Sequence, residues 1–263
     1  MKRDVSAHLT LDVARPATLV FSIAVSEAYD ASESLVMSID GAPVTPREVL
    51  DQHGTRLHVL EAQRGALAVD YTASIDGRRA PLAGEEVDRL RYLRPSRYAE
   101  SDILWATARA EFAGLSGAEL LGAVSSWVGT RLAYVTGSSL PTDGAERTLL
   151  ARRGVCRDFA HLVVALLRAL DVPARLVAVY APGLSPMDFH AVAEAWVEGE
   201  WRVVDATTLA PRASLVRIAT GRDAADTAFL SVYDGIATLG EFTVGAVVDA
   251  LPDDDVREFV SIG

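Results

Sequence analysis

The stretch ARRGVCRDFAHLVVALLRAL, residues 151–170, decides how the rest of the chain is read. From Phe159 to Leu170 nearly every residue is Leu, Val, Ala or Phe, with His161 and Arg168 the main exceptions. A helix that is apolar on most of its faces belongs in a core, so a buried helix is predicted here. Gly154 permits a tight backbone ahead of it, and Asp158 stands where a first-turn carboxylate suits the helix dipole. Cys156, the only cysteine of the chain, is thereby placed at the helix N-terminus. Free N–H groups and the positive end of the dipole favour a thiolate at such a position. On position alone, a small buried hydrophobe is the commoner reading of a lone cysteine. Its spacing to other residues has to decide.

Downstream, Asp171-Val172-Pro173 ends the helix, because proline cannot continue the hydrogen-bond ladder. A β-branched and aromatic run at 175–180 is predicted as a strand, and 181–188 (APGLSPMD) as a loop. Two further strands, 189–197 and 201–206, are joined around Gly199. Their register determines whether His190 and Asp205 can meet. If Glu198 and Gly199 form a two-residue turn, Asp205 falls opposite Val192 and becomes a same-face diagonal neighbour of His190. Such neighbours lie roughly 7–8 Å apart between backbones, within side-chain reach. A Gly199-Glu200 turn keeps the face but widens the gap. A three-residue loop puts Asp205 opposite Ala193, on the wrong face.

A thiol at a helix N-terminus, a histidine and a carboxylate are the three parts of a cysteine nucleophile site. Singly each has a plainer reading: a strand-end histidine is usually structural, and an aspartate closing a strand usually forms a turn. Taken jointly, GVCRDFAHL (154–162), VPAR (172–175), DFHAVAEAWV (188–197) and WRVVDAT (201–207) resemble the transglutaminase-like superfamily of papain-like cysteine hydrolases. The order Cys, His, Asp and its intervals match, and VRIATGRDAADTAF (216–229) is similar to the bacterial branch. The resemblance is firm from residue 140 to 230 and looser before it.

That resemblance implies an α+β fold in which the cysteine helix packs on an antiparallel sheet carrying His and Asp. Cys156 would be the nucleophile, His190 the general base and acid, and Asp205 the orienting carboxylate. The Cys156 N–H is one expected oxyanion donor, with Trp127 or Tyr134 as side-chain candidates for a second. One departure stands out: Asp205-Ala206-Thr207 replaces the frequent Asp-Pro-Thr, which should loosen the turn. His161, about 140° around the helix from Cys156, is assigned to the core or an interface. Arg157 and Asp158 are expected to brace the helix entry, and Arg222 and Asp223 to anchor a loop and cap a helix. The expected activity is hydrolysis of an amide or peptide bond through a thioester, on a peptide or protein substrate, without metal or cofactor. Acyl transfer to an amine and a catalytically silent peptide-binding scaffold remain alternatives.

Upstream, residues 1–83 alternate apolar and polar over five or so short runs separated by turn signals such as Asp40-Gly41 and Asp76-Gly77, predicting a β-sandwich-like accessory domain. His8, His53 and His58 have no partner in sequence. Residues 84–100 are dense in charge and are taken as a linker, and 101–263 as the transglutaminase-like catalytic domain. Within it, Ser101 or Asp102 is expected to cap one helix and Ser116 with Glu119 another, by a capping box. The formal net charge of −11 argues against nucleic acid and anionic membrane surfaces. The acidic run Asp253–Asp255 lacks the spacing of a calcium loop. A single cysteine excludes an internal disulfide, and with no recognisable leader a cytoplasmic location is expected.

Overall fold

The computed structural model describes residues 1–263. Seven strands come first: β1 (Lys2–Arg15), β2 (Ala17–Phe21), β3 (Ala31–Ile39), β4 (Ala42–Val44), β5 (Arg47–Leu50), β6 (Arg56–Ala62) and β7 (Gly65–Asp76). Then follow α1 (Glu86–Arg91), α2 (Trp105–Phe112), α3 (Gly117–Arg131), β8 (Ala133–Tyr134), α4 (Ala145–Ala151), β9 (Arg153–Gly154) and α5 (Cys156–Ala169). The last part holds β10 (Ala174–Tyr180), β11 (His190–Val197), β12 (Glu200–Val204), β13 (Val216–Gly221), α6 (Ala224–Thr227), β14 (Leu230–Tyr233) and β15 (Ile236–Val248).

The strict alternation of β1 buries Val5, Leu9, Leu11 and Val13 on one face, as period two requires. Two sheets, ordered β15-β1-β7-β3-β4 and β14-β2-β6-β5, enclose that core as a sandwich. A third sheet, ordered β12-β11-β10-β13, carries α5. Small residues on β11 make this contact close: Ala193 and Ala195 share a buried cluster with Leu162, Leu166 and Val163 of α5. Every residue of α5 from Asp158 to Ala169 is buried, as its composition predicts. Leu166 and Leu167 are fully enclosed, so truncating either to alanine would cost about 2–5 kcal/mol.

The division at residues 84–100 differs from the expectation. Chain 84–100 is packed rather than extended: Asp88, Tyr92 and Ala99 are buried, and Tyr92 lies edge-on to Trp201 of β12. Its charges are used locally, with Arg91 paired to Asp88 at 2.9 Å. Nor does 101–263 stay with the third sheet. Strand β14 pairs with β2 and β15 with β1, so the end of the chain returns to complete the sandwich. Tyr180, Val216 and Ile218 of β10 and β13 also belong to the sandwich core, joining the two parts through continuous apolar packing.

Two cap assignments also differ. Helix α2 begins at Trp105 with Leu104 as its cap, not Ser101 or Asp102. Ser116 does cap α3, but without a side-chain hydrogen bond, so the capping box with Glu119 does not form. Packing of Leu120, Leu121, Val124 and Val128 holds α3 instead. No helix is long and apolar enough to cross a membrane.

Candidate active site

Cys156 opens α5 and remains partly exposed, while the turns behind it are buried. The helix start is held by its own first turn: Val155 N–H donates to Asp158 Oδ2 at 2.8 Å, and Ser139 Oγ donates to Asp158 Oδ1 at 2.9 Å. Arg157 donates to Ser139 Oγ at 2.6 Å and to the Leu140 carbonyl at 3.0 Å, tying loop 137–144 to the same turn. Glycine is required at 154 because a Cβ there would lie 2.6 Å from the Cβ of Asp158. The bracing role expected of Arg157 and Asp158 is thus what the structure contains.

Across the sheet, Val197 pairs with Glu200 and Ala193 with Val204, so Glu198-Gly199 is the two-residue turn. Both turn residues have positive φ, 55° and 81°, as a tight hairpin needs. This register sets Asp205 on the face of His190, and His190 Nε2 lies 2.9 Å from Asp205 Oδ2. Thr207 donates its N–H and hydroxyl to the other carboxylate oxygen at 2.9 and 2.7 Å. The turn is therefore held without the proline. Helix α3 presses on it at Gly129, where a Cβ would lie 2.6 Å from the Ala206 carbonyl oxygen.

Both side chains of the pair are nearly sealed from water, at 1% and 2% exposure. Burial opposes protonation of His190, but the charge and hydrogen bond of Asp205, together with the Cys156 side chain, outweigh it and raise the pKa to about 10. Burial likewise opposes the Asp205 charge, yet His190 and the Thr207 donors keep this carboxyl below its usual range. With Nε2 engaged by Asp205, Nδ1 has no other protein partner and is the nitrogen left for sulfur. The Cys156 sulfur itself lies 4.0 Å from the Phe189 carbonyl oxygen, the residue before His190.

The two oxyanion candidates separate. Trp127 is not at the site: its indole N–H donates to Glu111 at 2.8 Å, and its ring packs edge-on against the buried Phe112. Tyr134 is at the site. It pairs with Gly154 through the short parallel β8–β9 contact, two residues before the cysteine. Burial, then the charge of the Cys156 side chain, push its phenol up to about 12, against the opposing hydrogen bond of the Cys156 backbone N–H. Cys156 and His190 both line a cleft of about 550 Å³.

A solved candidate cysteine protease from Cytophaga hutchinsonii is 34% identical, covers 100% of this chain and 93% of its own, and superposes with a TM-score of 0.85. Residues 111–206 match the model of the transglutaminase-like superfamily core. The chain belongs to the transglutaminase-like superfamily. Two uncharacterised mycobacterial proteins are also similar: one from Mycobacterium leprae, 29% identical over 126 residues, and one from Mycobacterium tuberculosis, 36% identical over 124 residues. The matches take in 43% and 41% of this chain and 44% and 39% of theirs, so the chain aligns with less than half the length of these curated relatives.

Other charged groups of this transglutaminase-like chain serve structure. His161 is fully buried, stacks on Tyr98 at 5.4 Å, and accepts the Ala224 N–H at 3.0 Å. Asp223 caps α6 through the Ala225 N–H and accepts the Tyr98 N–H, while Arg222 pairs with Asp226. His8 and His58 contact Asp70 and Glu48, and His53 meets the Tyr92 hydroxyl at 2.8 Å, all away from the cleft. Sequence reasoning missed one buried cluster. Glu194 of β11 receives Arg217 at 2.6 Å and Arg175 at 2.7 Å, with Arg175 also 3.9 Å above the Trp201 ring. Its only sequence signal was a charge inside each of three otherwise apolar strands.

Proposed function

We propose that the protein is a cysteine-nucleophile hydrolase of amide or peptide bonds, with Cys156, His190 and Asp205 as its triad. One observation carries this reading: the 2.9 Å His190–Asp205 pair stands beside a reachable cysteine at the head of a buried helix. The raised His190 pKa provides an imidazolium beside the Cys156 sulfur, poised to pair with it as the nucleophile forms. Sulfur attacks the carbonyl carbon, and the carbonyl electrons move to oxygen. The Cys156 N–H and the Tyr134 hydroxyl are suited to receive that oxyanion. As it collapses, His190 gives its proton to the departing amine and a thioester remains. Water then attacks while His190 takes its proton; the carbon–sulfur bond breaks, releasing the acid and restoring the ion pair. Asp205 keeps the ring oriented throughout.

Incubating the protein with a mixed peptide pool and following masses tests the reading. Cleavage or deamidation, lost in Cys156→Ala with the fold intact, is the expected result. Adducts with a supplied amine and no hydrolysis would move the chemistry to acyl transfer. Absence of any Cys156-dependent product would leave a peptide-binding scaffold.

A further inference from the structure

The cleft beside Cys156 has an aromatic wall that the proposed chemistry does not use. Phe189, whose carbonyl oxygen is 4.0 Å from the sulfur, stacks on Phe229 at 5.1 Å, and Phe229 stacks on Phe242 at 6.1 Å. The last two are supplied by the returning end of the chain. Phe229 directly precedes β14 and is fixed to the sandwich by Ser22 N–H donating to its carbonyl at 3.0 Å. Phe242 lies in β15, paired with Leu9 of β1, and keeps 40% of its surface exposed within the cleft. Besides the protonated His190, two charged residues line this space, Arg157 and Asp188. Arg157 is held by Ser139 and the Leu140 carbonyl. Asp188 accepts the Phe189 N–H and feels the charge of the neighbouring His190.

We infer that the cleft selects an amide flanked by a large apolar side chain, which seats on the Phe189–Phe229–Phe242 shelf. The inference rests on the proposed cysteine chemistry and assigns the sandwich a direct part in specificity. Half-exposed rings in series, one residue from the general base, offer an apolar side chain contact along its length. A flanking glycine would leave those rings wet.

Two peptidyl chloromethyl ketones that differ only in a Phe or a Gly beside the ketone test this, since sulfur displaces chloride without requiring turnover. Intact mass gives the rate of labelling at Cys156. The Phe reagent is expected to label about tenfold faster or more, the scale of one well-seated apolar side chain. That ratio should shrink severalfold in Phe242→Ser and largely return in Phe242→Leu. Equal rates for Phe and Gly, or an undiminished ratio in Phe242→Ser, would overturn the subsite. If iodoacetamide labels Cys156 while the ketones are not distinguished, only this inference fails. If no reagent labels Cys156, the proposed hydrolase chemistry fails with it.

Discussion

His190 Nε2 and Asp205 Oδ2 stand 2.9 Å apart at the end of one hairpin, where a single-residue slip in the turn would place them on opposite faces of the sheet. Asp205→Asn keeps the shape and removes the charge that holds His190 protonated. On the proposed chemistry, turnover is expected to fall by about 10⁴-fold, the loss seen when a catalytic triad is deprived of its carboxylate charge. Burial now acts on His190 without its main counterweight. On the proposed chemistry the alkaline limb of the pH–rate profile, expected in the parent near the raised His190 pKa of about 10, should therefore move to lower pH. An unshifted limb would show that Asp205 does not govern the ring.

Tyr134→Phe removes a hydroxyl next to Cys156 while leaving the ring against Phe159, where the centroids are 5.9 Å apart. If the phenol receives the oxyanion, kcat should drop about 10²- to 10³-fold with little change in KM. Trp127→Phe serves as the contrast, since its indole is committed to Glu111, and should retain parental kcat. Steady-state kinetics on one peptide substrate separates the two.

The parts of the molecule that were legible in the sequence are those set by short-range rules. The apolar run of α5 fixes its own burial, and Glu198-Gly199 sets the hairpin register that brings His190 to Asp205. Pairing of β15 with β1 joins opposite ends of the chain, and alternation within 236–248 says only that a strand exists, not which edge it completes. Tyr134 sits in a two-residue strand too short to leave a periodic signal. Arg175, Glu194 and Arg217 look like solvated charges until three strands bring them together, because each arginine finds its carboxylate only on another strand.

That buried triad predicts a sharp stability effect. Glu194→Gln leaves two guanidinium groups buried without their counter-charge, and about 3–5 kcal/mol of unfolding free energy should be lost. Burial disfavours the Glu194 carboxylate, but Arg217 and Arg175 outweigh it and hold its pKa at about 2. Its folded pKa is thus depressed, so its contribution is present above the usual glutamate range and disappears as pH falls through about 2. Urea denaturation at several pH values should show that dependence in the parent and its absence in the variant.

His161 has the opposite relation to protons from His190, although both are buried. Burial outweighs the nearby Asp223 and lowers the His161 pKa to about 3, and its Nε2 is already accepting the Ala224 N–H. The folded state therefore keeps this ring neutral, while the unfolded chain takes up a proton below about 6.5. Stability must then fall as pH drops from about 6.5 towards 3, the range in which only the unfolded form binds the extra proton. For His190 the raised pKa gives the reverse: its contribution is complete below about 6.5 and is lost as pH rises through about 10. His161→Gln supplies an amide oxygen for the Ala224 N–H and has no proton to take up. Its denaturation midpoint should change less between pH 7 and pH 5 than that of the parent. If the variant and parent lose stability equally over that interval, proton uptake at His161 is not what limits acid stability.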